Sequence, residues 1–145
     1  MEHVPKTMRY SQESKRILVV DDDVATRKIV SWILLGMGYE VSSMESGAEA
    51  FEKLLKAPKA FKLVITGAKP VDFSGLVLIK AVRHIPATAT IPMLFMAQNP
   101  LMELALAELE YSRTSFAPKP IYKELLEQEI DRLLTGENTP DSVVI

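Results

Sequence analysis

Cysteine is absent from this sequence, and none of its hydrophobic runs is long. Without cysteine the chain has no disulfide framework, no thiolate zinc site and no cysteine nucleophile. The longest apolar stretches, such as Trp32–Met37, are far too short to span a bilayer. The first residues, Met1–Ser14, lack the apolar core of a signal peptide. We therefore expect a cytoplasmic protein that does not contact a membrane.

An excess of basic charge is also missing. The chain has 17 basic and 19 acidic residues, which gives a net charge of −2. Proteins that bind nucleic acid usually carry a basic surplus or patch, so we expect no nucleic-acid partner. The length of 145 residues and the apolar fraction of 48% suit one globular domain. Such a domain can bury a core without metals or disulfides.

Aliphatic runs and helical patterns alternate five times along the chain. The run Arg16–Val20 is continuous and rich in β-branched residues, which is typical of a strand buried on both faces. Further strands are predicted at 39–43, 61–66, 91–96 and 114–117, and helices at 24–37, 47–56, from 74, 100–110 and 121–134. This alternation predicts an α/β fold, a doubly wound five-stranded parallel sheet covered on both faces. The domain is expected to span 15–135, between flexible tails at 1–14 and 136–145.

Local signals predict where helices begin and which side chains face inward. Ser46 and Asn99 are suited to cap the second and fourth helices, since their side chains can accept backbone N–H groups. The helical spacing assigns the following residues to the core: Ala25, Ile29, Ile33 and Met37 in the first helix, and Ala50, Phe51, Leu54 and Leu55 in the second.

Charged residues follow the first and the fifth of the predicted strands. The first strand is followed by Asp21, Asp22 and Asp23, and the connection after the fifth carries Lys119. In a parallel sheet these ends meet at the edge where ligands usually bind. Clustered carboxylates repel one another and need a cation, which either Mg²⁺ or the lysine can supply.

The motifs resemble the receiver domain of bacterial two-component response regulators. The similarity lies in Ile17–Asp23, in the five βα units, and in Lys119-Pro120 before an aliphatic residue, and it covers about residues 15 to 135. It implies a flavodoxin-like (βα)5 arrangement. In that family an acidic pair helps to hold Mg²⁺, and an aspartate ending strand three accepts a phosphoryl group from a histidine kinase. A hydroxyl residue ending strand four and a lysine contact that phosphoryl group.

Carried over by position, the resemblance implies a pocket that lacks its acceptor. Asp21 and Asp22 match the acidic pair, and Lys119 matches the lysine. The acceptor position holds Gly67, and the hydroxyl position holds Ala97. Glycine cannot form an acyl phosphate, and alanine has no hydroxyl. We therefore expect a degenerate pseudo-receiver without phosphotransfer.

This assignment survives a shift of one residue, because Thr66 and Ala68 are not carboxylates either. Asp72 lies too far beyond the strand to replace the acceptor. We expect no cofactor other than weak Mg²⁺ at most, on Asp21 and Asp22. Otherwise Lys119 should pair directly with one of these aspartates, and the family's usual cis bond between Lys119 and Pro120 is expected.

The helix predicted from Pro100 to Glu110 is apolar around nearly its whole circumference. Leu101, Ala105 and Leu109 are expected to face inward. Met102 and Leu106, or Leu104, would then face outward beside Tyr111 and form an interface. In receivers the face made by helix four, strand five and helix five commonly contacts the output partner, so the partner here would be another signalling protein or a second copy. Trp32 and Leu35 are candidates for a second patch.

These observations favour a stand-alone receiver-like module, not an enzyme, that acts by phosphorylation-independent protein–protein contact. About ten residues follow the last helix, too few for an output domain. Two alternatives stay open. One is a module that binds a small molecule in the vacated pocket. The other is a Mg²⁺-dependent phosphatase of haloacid-dehalogenase type, since Val20–Val24 contains an Asp-x-Asp motif, although no acidic pair follows strand four.

Overall fold

The computed structural model describes residues 14–68 and 74–136, so both predicted tails lie almost wholly outside the described residues. Strands and helices alternate throughout. The strands are β1 (Arg16–Val20), β2 (Glu40–Met44), β3 (Leu63–Gly67), β4 (Met93–Ala97) and β5 (Thr114–Pro118). The helices are α1 (Val24–Gly36), α2 (Gly47–Lys56), α3 (Gly75–His84), α4 (Pro100–Glu108) and α5 (Lys123–Thr135). Among the described residues, no helix is long and apolar enough to cross a membrane.

All five strands are parallel, in the order β2-β1-β3-β4-β5. Every residue of β3 and β4 is buried, as a sheet covered on both faces requires. The carboxyl ends of β1, β3, β4 and β5 therefore meet at one edge. The predicted doubly wound α/β fold is confirmed.

The helices cover the sheet as two layers. On one face α2, α3 and α4 pack against the strands around Leu54, Leu78 and Phe95. On the other face α1 and α5 pack around Ile33, Leu94 and Ile130. This division leaves the outer faces of α1 and of α4 on different sides of the molecule.

Four of the helices begin after a residue whose side chain caps the first turn. Asp23, Ser46, Ser74 and Asn99 each accept a backbone N–H from the first turn of the helix that follows. The predicted caps Ser46 and Asn99 are therefore confirmed. The hydroxyl and the backbone N–H of Thr26 both donate to Asp23, and these hydrogen bonds lower its pKa.

Two helix faces differ from the predicted ones. In α1 the buried residues are Val30, Ile33 and Leu34, while Ile29 is exposed. The predicted stripe advanced in steps of four, which drift around a helix of 3.6 residues per turn and leave the buried face. In α2 the buried positions include Ala50 and Leu54, but Leu55 is exposed, because it lies one residue, or about 100°, further around the helix than Leu54.

Arg83 joins α3 to the amino-terminal edge of β4 and β5, far from the strand ends that carry the aspartates. Its guanidinium donates to the carbonyls of Ala89, Ile91, Ser112 and Arg113 and to the hydroxyl of Thr114. Burial, together with the neighbouring Arg113, lowers the pKa of Arg83 to about 10. These contacts give Arg83 a structural role in fixing where β5 begins.

Candidate functional site

Asp21 lies directly after β1 and is only 1% exposed. Its backbone N–H continues the ladder by donating to the carbonyl of Met44. Its Oδ1 accepts the N–H of Asp23 at 2.9 Å, while Oδ2 lies 2.9 Å from Nζ of Lys119. Oδ2 accepts no hydrogen bond of good geometry from the described residues, so its contact with the lysine is an ion pair. Both oxygens are therefore turned toward the protein.

Lys119 reaches the pocket from the residue that follows β5. Its backbone N–H donates to the carbonyl of Ala97, and the peptide bond between Lys119 and Pro120 is cis, as the resemblance implied. The lysine side chain is 22% exposed, so the ion pair with Asp21 lies at the boundary between core and solvent. Of the two aspartates considered as partners, the lysine contacts Asp21, whereas Asp22 is exposed.

Gly67 ends β3 directly opposite Asp21. A Cβ atom at residue 67 would overlap with the carboxylate of Asp21. A side chain at this position would therefore point at the ion pair, whereas the hydroxyl of Thr66 donates to the carbonyl of Gly67. Gly75 is also in close contact, since a Cβ there would overlap with the same carbonyl. Asp72 lies outside the described residues.

Ala97 ends β4 and is buried. Beside it lies a cavity of about 260 Å³, which is lined by Asp22, Ala68, Met96, Ala97, Gln98, Asn99, Met102 and Lys119. This volume is below the range of roughly 300–1,000 Å³ usual for ligand pockets. Among the described lining residues the one cation is Lys119, which is already paired with Asp21. The cavity by itself therefore does not point to a ligand class.

The arrangement fits Mg²⁺ poorly. Magnesium needs nearly octahedral coordination by oxygen atoms that are free to bind it. Asp21 is paired with Lys119, Gly67 has no side chain, and Asp22 is left as the exposed carboxylate of the predicted pair. The described residues contain no group of three acidic, histidine or cysteine side chains placed to hold a metal ion. The haloacid-dehalogenase alternative fits no better, because Asp21, its expected nucleophile, is buried.

The predicted orientation of α4 is wrong for Leu101 and Leu106, whereas Leu104 faces outward and Leu109 packs against the core as predicted. Leu106 is only 7% exposed and belongs to the core, and Met102 and Tyr111 are partly buried against that core. The outward-facing residues are Leu101 and Leu104, at 63% and 61% exposure. A helix that is apolar all round gives no signal for which side faces inward. The interface residues named from the sequence are thus mainly packing residues.

A groove of about 290 Å³ nevertheless runs between α4, β5 and α5. Leu106, Tyr111 and Phe116 contribute apolar lining, and three acidic residues, Glu103, Glu110 and Glu129, also line the groove. Glu129 accepts hydrogen bonds from Ser115 and Arg132, at 2.5 and 2.6 Å. Sequence reasoning missed these acidic residues, which are separated in the chain and converge only through the parallel packing of β5 beside β4.

The family model of the response regulator receiver domain matches residues 17–131. The 3′,5′-cyclic-nucleotide phosphodiesterase regA of Dictyostelium discoideum is 32% identical, with 86% of this chain and 16% of that protein covered. The transcriptional regulatory protein ZraR of Escherichia coli (strain K12) is 27% identical, with 87% of this chain and 28% of that protein covered. The chain thus spans less than a third of these curated relatives.

Solved receiver structures have the same fold. The chemotaxis response regulator CheY4 of Vibrio cholerae superposes with a TM-score of 0.73 at 29% identity, covering 83% of this chain and 99% of that one. The receiver domain of the hybrid histidine kinase CckA superposes with a TM-score of 0.66 at 26% identity, covering 82% and 98%. By sequence and by fold, this chain belongs to the family of response regulator receiver domains.

Proposed function

We propose that this receiver domain acts in signalling by protein–protein contact and does not depend on phosphorylation. The observation that carries the proposal is the position of the Asp21 carboxylate. It occupies the space in front of Gly67 and faces the ammonium of Lys119. The lysine that the resemblance assigns to a phosphoryl group is thus paired inside the protein.

Three features support the lack of phosphotransfer. An acyl phosphate requires a carboxylate, and Gly67 has none. A hydroxyl that could report a phosphoryl group is missing at Ala97. Asp21 cannot substitute as acceptor, because its carboxylate is buried and both its oxygens face protein groups. Without a phosphoryl group to change its state, the domain would hold one conformation.

The groove between α4, β5 and α5 is the surface proposed for the partner. Its apolar lining suits an aliphatic or aromatic side chain, and Glu103 and Glu110 favour basic residues beside it. The proposed partner is therefore a protein segment that combines an apolar anchor with lysine or arginine.

Incubation with acetyl phosphate and Mg²⁺, followed by intact-protein mass spectrometry, tests the phosphorylation part of the proposal. The mass should stay unchanged. A response regulator that has an aspartate at the end of strand three, treated in parallel, should gain one phosphoryl group and so show that the reagent is active. A stable adduct of one phosphoryl group on this protein, lost in Asp21→Asn, would overturn the proposal.

Affinity capture with charge-reversed variants tests the contact part. Proteins retained by the wild type should be lost from Glu103→Lys, because the charge of the groove is reversed. They should be retained by Glu52→Lys, a matched reversal on the exposed surface of α2. Equal capture by both variants would exclude the groove as the contact.

A further inference from the structure

The outer face of α1 carries an unusual number of exposed apolar side chains. Trp32 is 65% exposed, and Val24, Ile29 and Leu35 are also exposed, all on one helix of 13 residues. Single exposed apolar residues are normal on a protein surface. Four of them grouped on one short helix make a patch of the kind that marks an interaction site.

Three of these residues, all except Ile29, form a continuous stripe with a lysine inside it. Val24, Lys28, Trp32 and Leu35 follow one another at steps of four, four and three residues, which places them along one side of the helix. Trp32 and Leu35 border a shallow groove with Lys123 and Glu127 of α5 on one flank. On the other flank the stripe borders a second groove, next to Ser43 of β2.

We propose that this stripe binds a second copy of the chain, with the two α1 helices antiparallel across a two-fold axis. The stripe is complementary to itself when its direction is reversed. Val24 then meets the partner's Leu35, and Lys28 meets the partner's Trp32. The first pair is apolar, and the second sets an ammonium against an indole ring, a favourable cation–π contact.

The charges around the stripe favour this antiparallel arrangement. Lys28 forms no ion pair within the described part of the chain. The exposed Asp22 and Asp23 lie at the amino-terminal end of α1, and Lys123, which pairs with Glu127 at 3.0 Å, lies beside its carboxyl-terminal end. Antiparallel helices bring these unlike charges, and the opposite ends of the helix dipoles, next to each other. Parallel helices would instead set Lys28 against Lys28.

The size of the stripe sets the expected strength. A helix of 13 residues is about 20 Å long, so one pair of helices buries an area at or below the lower end of roughly 1,200–2,000 Å² for stable interfaces. The dimer should therefore be weak and dependent on concentration. The stripe borders Lys123 and Glu127 of α5, whereas the groove between α4, β5 and α5 is lined by Glu129 and Arg132 of that helix. The two surfaces therefore use different residues, and the dimer can be tested independently of the proposed function.

Trp32 is the sole tryptophan of the chain, so its fluorescence reports directly on the stripe. Sedimentation velocity should show a mass that falls from dimer to monomer on dilution, and the Trp32 emission should shift to the red over the same range. Trp32→Glu and Leu35→Glu should each raise the dimer Kd at least roughly tenfold. Val77→Glu, a matched change at an exposed apolar residue of α3, should leave the Kd unchanged.

Crosslinking tests the antiparallel register without relying on charged variants. Because the chain has no cysteine, Val24→Cys and Leu35→Cys each introduce a single thiol. A short bismaleimide should join an equimolar mixture of the two variants more efficiently than it joins either variant alone. A monomer at every concentration, an equal effect of Val77→Glu, or no preference for the mixture would each overturn the proposal.

Discussion

At residue 67 the lack of a side chain leaves room for the carboxylate of Asp21. Asp21 follows β1 and Gly67 ends the neighbouring strand β3, and the register that pairs Val20 with Thr66 brings these two residues side by side. Any Cβ at residue 67 would overlap with Asp21 and force it away from Lys119. The glycine that the family resemblance places at the acceptor position thus permits the internal ion pair.

Gly67→Ala should therefore lower the free energy of unfolding by about 1–3 kcal/mol, the usual cost of forcing extra volume into a packed site. Gly36→Ala is the matched control, since a Cβ there meets nothing within 4 Å. That control should be neutral or stabilising by up to about 1 kcal/mol, because alanine restricts the unfolded chain. Urea unfolding of both variants measures the difference, and equal effects would contradict the described packing.

The pair between Asp21 and Lys119 should couple strongly in a double-mutant cycle. Lys119→Met should cost about 3 kcal/mol, the lower end for breaking a buried pair, because the lysine is partly exposed. Adding Asp21→Asn removes the uncompensated charge and should recover part of the loss. The interaction energy from urea unfolding of the four proteins should exceed about 0.5 kcal/mol. An additive result would show that the two groups do not interact.

At the scale of elements, α4 shows that the sequence of a helix that is apolar all round does not indicate which side faces the core. Its inner side is made by Met102, Leu106 and Leu109, while Leu104 faces solvent. Leu106→Ala should lower the free energy of unfolding by about 2–5 kcal/mol, because a buried leucine leaves a cavity. Leu104→Ala should change it by no more than about 0.5 kcal/mol. Similar losses in thermal or urea unfolding would contradict the orientation described here.

The first turn of α1 should respond to acid through Asp23. Hydrogen bonds from Thr26 hold its pKa below the ordinary value of 3.8. A depressed pKa in the folded state contributes stability that is present above pH 3.8 and is lost as the pH falls through the folded pKa. Asp23→Asn keeps a capping group without the charge. The wild type should therefore be more stable than this variant at neutral pH, and the difference in Tm should shrink in acid.

For the molecule as a whole, the buried strands could be predicted from the sequence because each of them is a nearly unbroken apolar run. Arg16–Val20 was predicted and observed with the same bounds. Strands β3 and β4 begin two residues later than the sequence predicts, because Phe61 and Ile91 are buried without belonging to a strand. Burial and strand pairing are different properties, and composition reports mainly the first.

The pocket was predictable to the extent that parallel strands share an edge. The sequence predicts Lys119 beside an aspartate. Which of Asp21 and Asp22 it contacts depends on the direction in which the backbone leaves β1, and no sequence pattern indicates that direction. The acidic residues of the groove, Glu103, Glu110 and Glu129, show the same limit. Residues on separate elements converge only once the packing of α4 and α5 around β5 is known.

The intact domain should gain no thermal stability from Mg²⁺. A ligand at 100 times its Kd stabilises a protein by about 2.7 kcal/mol, and each kcal/mol raises Tm by roughly 2–8 °C in domains of this size. Because Asp21 is paired with Lys119, millimolar MgCl₂ should leave Tm within roughly 1 °C of its value in NaCl of equal ionic strength. Lys119→Ala removes the competing ammonium from beside two aspartates, so this variant should be stabilised by Mg²⁺. Calorimetry of both proteins checks the pair of outcomes, and a magnesium-dependent rise in the wild type would mean that Asp21 leaves the lysine readily.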